Sequence, residues 1–232
     1  MTRWIAALPM YDWPERHAEV DAEWADLRDR LRAAGINAPD AITREHGELF
    51  EFWQRPDLLF AQTCWGPMEH GLAEHVQVVG QPNYDGVEGG QGELYSSAIV
   101  MRGNPAASLP YEATLPLDLL RNARFAYNST DSMSGYIGIS RDLAALGESI
   151  AIFSQEIESG GHRKSIRAVA SGEADVAAID CMSWRLAHLY EPAAQDLQVV
   201  GWTALRKGLP FITAKSTPPE VVAALKGALA DI

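Results

Sequence analysis

The chain is poor in cysteine, in positive charge and in long apolar runs, and each shortage argues against a class of function. Only two cysteines, Cys64 and Cys181, occur among 232 residues. So far apart, they form neither a redox pair nor a zinc ligand set, and both read as small buried thiols. Lys and Arg number 19 against 31 Asp and Glu, a net charge of −12. No basic cluster interrupts that excess, which argues against nucleic acid as a partner. No apolar run approaches the roughly 20 residues that span a bilayer, so no membrane insertion is expected. The apolar part of residues 1–9 is too short for a secretory leader, and Asp12, Glu15 and Arg16 follow at once. A cytosolic or an already processed chain is expected on that ground. Gly-x-Ser-x-Gly, Walker and His-Glu-x-x-His signatures are all missing. His70 and His75 are five apart and do not share a helix face, so they make no metal pair. No catalytic residue, metal or cofactor is expected.

What is present is core-forming. Hydrophobic residues make up 47% of the chain, enough for one large or two small domains. Residues 4–8 form an apolar strand pattern stopped by Pro9. Val20, Trp24, Leu27 and Leu31 then recur at helical spacing until Gly35. A strand followed by an amphipathic helix opens an α/β unit. Further strands are expected at residues 58–61, 76–79, 95–101, 124–127, 174–179, 197–200 and 211–214, with a short one at 41–43. Residues 153–158 fit strand or helix equally. The glycine-rich stretch 86–92 precedes a strand pattern, not a helix, and so fails as a dinucleotide loop. Thr217-Pro218-Pro219-Glu220 reads as a capping box for a last helix.

The most informative stretch is Asn128-Ser129-Thr130-Asp131-Ser132-Met133-Ser134-Gly135. It follows the strand pattern Arg124-Phe125-Ala126-Tyr127 and precedes a helical run over residues 136–146. A strand that ends in hydroxyls and glycine before a helix presents free N–H and O–H donors at one point. Two readings stand side by side: a site for a small tetrahedral oxyanion, or an ordinary Ser/Asp N-cap with no ligand. A net-negative protein that binds an anion needs neutral donors of this kind, because its overall field repels the ligand. His162 starts a helix behind two glycines, and Asp180 ends a strand. Beside such a site, His162 would donate to an anion, and Asp180 would accept a proton that the anion carries or bind a ligand amine. Tyr11, Gln62 and Thr63 follow strand ends, where open α/β sheets display ligand contacts.

Gly160-Gly161-His162-Arg163-Lys164-Ser165-Ile166, continued by Ser171-Gly172-Glu173-Ala174-Asp175-Val176-Ala177-Ala178-Ile179-Asp180, resembles the phosphate/phosphonate solute-binding proteins of ABC transporters, the PhnD-like group. Ala61-Gln62-Thr63-Cys64, Tyr95-Ser96-Ser97 and the serine-rich stretch over residues 129–135 are similar to the same family. The resemblance implies an α/β, two-lobed type II periplasmic-binding-protein fold. Each lobe is then a mixed sheet flanked by helices, and two crossing strands join the lobes. With those strands at 95–101 and 197–200, lobe 1 is expected over residues 1–102 plus 197–232, and lobe 2 over 103–196. The family's oxyanion contacts map onto Ser132, Ser134, Gly135 and His162, with Tyr11, Gln62 and Tyr95 facing them from the other lobe. Met182 stands where an aminophosphonate binder would carry a carboxylate, which argues against that ligand.

The expected function is capture of phosphate, phosphite or a phosphonate between the lobes, as a monomer, with an ABC permease as partner and a periplasmic address. Two other readings stay open: a cytosolic lyase or biosynthetic synthase on the same fold, with Asp180 or His162 as base, and a non-exported sensory binding module.

Overall fold

A computed structural model describes residues 3–230. Met1 and Thr2, the start of the stretch read for a leader, lie outside the described residues. The chain divides into two compact units: one runs to Pro82 and resumes at Leu209, and the other is Asn83–Gly208.

The first unit is a four-stranded sheet in the order β1-β2-β12-β3, with β1 (Ile5–Ala7), β2 (Leu58–Gln62), β3 (Val76–Gly80) and β12 (Phe211–Ala214). β1 runs parallel to β2, whereas β12 is antiparallel to β2 and β3. β2 is buried along its whole length, as a continuous apolar run covered on both faces should be. Helix α1 (His17–Ala33) buries Val20, Trp24, Leu27 and Leu31 against the sheet, so the spacing read from the sequence is its core face. It ends in a Schellman turn: Ile36 N–H donates to Leu31 O and Gly35 N–H to Arg32 O, with Gly35 at φ +85°. Short helices α2 (Leu49–Trp53) and α3 (Trp65–Glu69) and the last helix α8 (Pro219–Leu229) complete the unit.

Two local expectations fail here. Residues 41–43 are not a strand, because Thr43 makes one backbone bond, to Ala6 O, and no ladder. The capping box is not formed. Helix α8 begins at Pro219 with no side-chain cap, and the Thr217 hydroxyl lies 2.8 Å from that of Thr213 instead.

The second unit holds a five-stranded sheet in the order β10-β6-β9-β7-β8 and a three-stranded one, β11-β5-β4. The strands are β4 (Gly90–Gln91), β5 (Leu94–Tyr95), β6 (Ser97–Arg102), β7 (Arg124–Tyr127), β8 (Gln155–Glu158), β9 (Val176–Asp180), β10 (Leu197–Trp202) and β11 (Arg206–Lys207). The helices are α4 (Leu117–Leu120), α5 (Gly138–Ala145), α6 (His162–Ser171) and α7 (Cys181–Tyr190). β7 is parallel to both β8 and β9, and β6 is antiparallel to β9 and β10.

The unit boundaries therefore differ from those expected at 102/103 and 196/197. The strands read as crossings, β6 and β10, pair with each other from Leu197↔Arg102 to Trp202↔Ala98, and β6 pairs with β9 from Ser97↔Asp180 to Met101↔Val176. Both belong to the second unit's sheet, β6 inside it and β10 at its edge. Tyr95, assigned from sequence to the same lobe as Tyr11 and Gln62, lies in the second unit.

An ion pair pins the start of β7 to the turn before β9. Arg124 donates Nε to Asp175 Oδ2 at 2.9 Å and Nη2 to Oδ1 at 2.6 Å, and its backbone N–H reaches Oδ2 at 2.9 Å. The Arg124 guanidinium lowers the Asp175 carboxyl from 3.8 to about 2 against a smaller opposing effect of burial. A carboxyl with a folded pKa below its unfolded one adds stability above pH 3.8, and that share is lost as pH falls towards about 2. Asp175→Asn is expected to flatten the acid limb of the melting-temperature profile between those values. The difference should shrink in high salt, because the pair is partly exposed. Thermal melts across that range, with and without salt, check it.

Candidate functional site

Strand order determines where a site can form. The chain leaves β7 through α5 to β8 on one side, and leaves β9 through α7 to β10 on the other. Connections that part in opposite directions open a crevice at the carboxyl ends of β7 and β9. The stretch after β7 and Asp180 at the end of β9 stand at that point.

The stretch after β7 does not enter an α-helix directly. Ser132 N–H donates to Ser129 O, and Ser132 O then accepts from both Tyr136 N–H at 3.0 Å and Ile137 N–H at 2.9 Å. This gives a π-helical turn, Met133–Ile137, ahead of α5, where a helix was expected from residue 136. Such turns often mark functional sites. Ser132 caps it, accepting Gly135 N–H on Oγ at 3.0 Å. The bland reading is thus realised as a contact, and the Gly135 amide, proposed from sequence as an anion donor, is already engaged. Glycine eases a close approach there: a Cβ would lie 2.9 Å from Asn128 Oδ1 and 3.0 Å from Ser132 Oγ, so a larger residue would displace those side chains. Ser97, at the start of β6, ties the turn to the sheet by donating its hydroxyl to Ser134 O at 3.0 Å.

The loop after β8 is stitched to the loop after β7. Ser159 N–H donates to Tyr127 O and Gly160 N–H to Asn128 O, each at 2.8 Å. Gly160 turns at φ +81°, and α6 starts at His162 with its ring against the π-turn. His162 Nε2 lies 2.8 Å from Ser134 Oγ and 3.0 Å from Asp180 Oδ2. Asp180 is 2% exposed, and its Oδ1 accepts Ser183 N–H at 2.9 Å, capping α7. Burial raises its carboxyl, but the His162 charge and hydrogen bonds from His162 and Ser183 outweigh it and leave the group below the usual range. Two polar atoms beside this cluster, Asn128 Oδ1 and His162 Nδ1, are buried with no hydrogen-bond partner among the described residues.

Ser134, His162 and Asp180 have the composition of a catalytic triad but not its geometry. A relay needs the hydroxyl and the carboxylate on different ring nitrogens; here both oxygens meet Nε2. Burial, followed by the Asp180 charge, pushes the neighbouring Cys181 thiol up to about 12, so it supplies no nucleophile.

Ser132, Ser134, Gly135, His162 and Asp180 are therefore brought together in the second unit. Tyr95 is buried in the same unit, stacked on Tyr84 with ring centroids 5.5 Å apart. Tyr11, Gln62 and Thr63 belong to the first unit. There the Tyr11 carbonyl accepts from Arg16, Gln62 Nε2 donates to Leu209 O at 3.4 Å, and the Thr63 hydroxyl is buried without a hydrogen-bond partner among the described residues. Sequence reasoning missed Ser97 and Ser183 as supports. Ser97 carried one usable signal, a serine opening a long apolar strand. Among the described residues no group of His, Cys, Asp and Glu could hold a metal ion, and no helix is long and apolar enough to cross a membrane.

Residues 58–232 match the family model described as ABC transporter, phosphonate, periplasmic substrate-binding protein. No curated protein matches the chain. Among solved structures, PhnD1 of Prochlorococcus marinus in complex with methylphosphonate is similar at a TM-score of 0.72 and 16% identity, over 98% of this chain and 84% of that one. A Xanthomonas citri protein bound to chloride gives 0.68 and 17%, over 100% and 84%. A binding-protein component of an ABC phosphonate transporter from Pseudomonas aeruginosa gives 0.66 and 16%, over 100% and 74%. The fold is the type II periplasmic-binding-protein fold.

Proposed function

This chain belongs to the periplasmic phosphonate substrate-binding family of ABC transporters, and from that premise we propose that it binds a small phosphorus oxyanion at the β7/β9 edge of its second unit. A solute-binding role, with a permease as partner, comes with the family, which is one of substrate-binding components and not of enzymes. The oxyanion class is our reading.

One observation carries it. Ser132, which caps the π-turn, and Ser134 within it each place the hydroxyl oxygen against a nitrogen. Ser132 Oγ takes Gly135 N–H, and Ser134 Oγ faces His162 Nε2. Asp180 is an ionised carboxylate, and a bare ring nitrogen 3.0 Å from it would set lone pair against lone pair. Nε2 therefore carries the proton, and Ser134 cannot donate to it. Neither hydroxyl hydrogen has an acceptor in Nε2, and we read both as available to a ligand. Two directed O–H donors suit a compact ligand rich in acceptor oxygens. Methylphosphonate, phosphite and phosphate fit that description.

The test is a thermal-shift and calorimetry series on the full chain with methylphosphonate, phosphite, phosphate, sulfate, acetate and glycine. Phosphorus oxyanions are expected to raise the melting temperature in proportion to the logarithm of concentration over dissociation constant. Stabilisation by acetate or glycine with none by the three phosphorus ligands would reject the reading.

A further inference from the structure

The position of Asp180 suits a different task from the one its residue type suggests. A carboxylate at a strand end beside an anion site reads as an acceptor for the ligand's own proton. Here its contacts to Ser183 and His162 are internal to the fold. It is 2% exposed; Oδ1 takes the Ser183 backbone N–H, the Ser183 hydroxyl adds a second bond, and Oδ2 faces His162 Nε2 at 3.0 Å.

We infer that Asp180 is a positioning residue: it keeps the imidazole proton of His162 on Nε2 and thereby turns the Ser134 hydroxyl out as a donor. The first half concerns the protein alone. The second half, its consequence for a ligand, rests on the oxyanion reading above. Ser134 Oγ and Asp180 Oδ2 compete for the same ring nitrogen, at 2.8 and 3.0 Å. While Nε2 is protonated, Ser134 has no acceptor there and its hydrogen points elsewhere. Were Nε2 bare, Ser134 would donate to it and lose that hydrogen for a ligand. The carboxylate decides between the two states by charge.

Asp180→Asn isolates this. Asparagine preserves the size and the cap, because its Oδ1 still accepts Ser183 N–H. That bond orients the amide so that its NH2 faces His162, which demands a bare Nε2. Nitrogen-15 spectra of the histidines at alkaline pH, where the ring is neutral, read the tautomer directly; the His162 signals are identified by their loss in His162→Ala. The expected result is Nε2–H in the parent chain and Nδ1–H in Asp180→Asn. Affinities for methylphosphonate and phosphate should then fall together by about tenfold or more, the size of one hydrogen bond to a charged group. Ser134→Ala keeps the carboxylate, so its ring should stay Nε2–H, which holds the test open should Asp180→Asn fold poorly.

Retention of Nε2–H in Asp180→Asn, or a flip in Ser134→Ala, would overturn the inference. So would a loss confined to one of the two ligands, which would make Asp180 a ligand contact. The expected flip in Asp180→Asn, found in a protein whose parent chain binds no phosphorus oxyanion, upholds the positioning role and rejects the oxyanion reading instead.

Discussion

Replacing Ser134 and His162 together by alanine is expected to lower affinity for methylphosphonate or phosphate by about 10²- to 10⁴-fold. Two hydrogen-bonding groups next to an anion, each worth about 1.5–3 kcal/mol, set the upper end of that range if they act independently, and one such group sets the lower end. Ser134 contributes a hydroxyl hydrogen, and His162 carries the proton that keeps this hydroxyl from turning inward. They touch at 2.8 Å, so their effects are coupled. Either single alanine already loses most of the shared term, and the double variant loses less than the sum. The site lies on loops that follow β7 and β8, and the sheet beneath rests on Phe125, Ile139, Val176 and Ala178, none of which changes. Circular dichroism should therefore match the parent. Calorimetric titration that finds parental affinity in the double variant would remove the site from consideration.

The two halves of that site were unequally legible in the sequence. The serine-rich stretch was visible because a strand pattern, a run of hydroxyls and a glycine before a helical run have a local physical meaning. His162 and Asp180 were visible as residues at element ends. Their meeting was not, because it depends on strand order. β9 lies beside β7 only because the chain returns past β7 after β8, and no local pattern encodes that return. The π-turn was equally hidden. It exists because Ser132 O accepts from two successive amides, and hydrophobic periodicity reports a helix there without its pitch. Unit boundaries failed for a related reason. Residues 95–101 and 197–200 were recognised as strands, but a strand's partners decide which body it joins, and β6 and β10 have theirs in the second sheet. Tyr95 moved with them.

Ser134, His162 and Asp180 also illustrate why residue types do not name a reaction. The same three side chains on an imidazole with two opposed contacts would make a nucleophile. With both contacts on Nε2 that relay is missing, and on our proposal the histidine holds a proton in place and the serine becomes a donor. That arrangement suits the proposed oxyanion, because a ligand that is released unchanged meets donors and no base positioned to activate the hydroxyl. Nor does the excess of negative charge work against it, since uncharged O–H dipoles act within a bond length while the net charge acts from afar and is screened by salt.

The stability of this arrangement is expected to depend most on Phe125. It is fully buried in β7, stacks on Phe153 at 4.5 Å and on Tyr127 at 5.9 Å, and meets Tyr136 at 6.4 Å. Tyr136 is part of the π-turn, and its ring also packs on Tyr127 at 4.8 Å. Phe125→Ala removes the centre of this aromatic cluster, and large-to-small core changes of this kind cost about 3–5 kcal/mol. The loss should be local to the second unit. The amides of β7 and β9 should exchange with solvent roughly two to three orders of magnitude faster, as that cost implies. Those of β2 and β12, in the other unit, should keep their parental rates. Because Tyr136 loses a neighbour, the turn that orients Ser132 and Ser134 loosens as well, and oxyanion affinity falls with it. Hydrogen exchange read residue by residue separates this from global unfolding. Equal acceleration in both sheets would show that Phe125 does not act through the second core alone, and unchanged rates in β7 and β9 would show that the aromatic cluster does not support the turn.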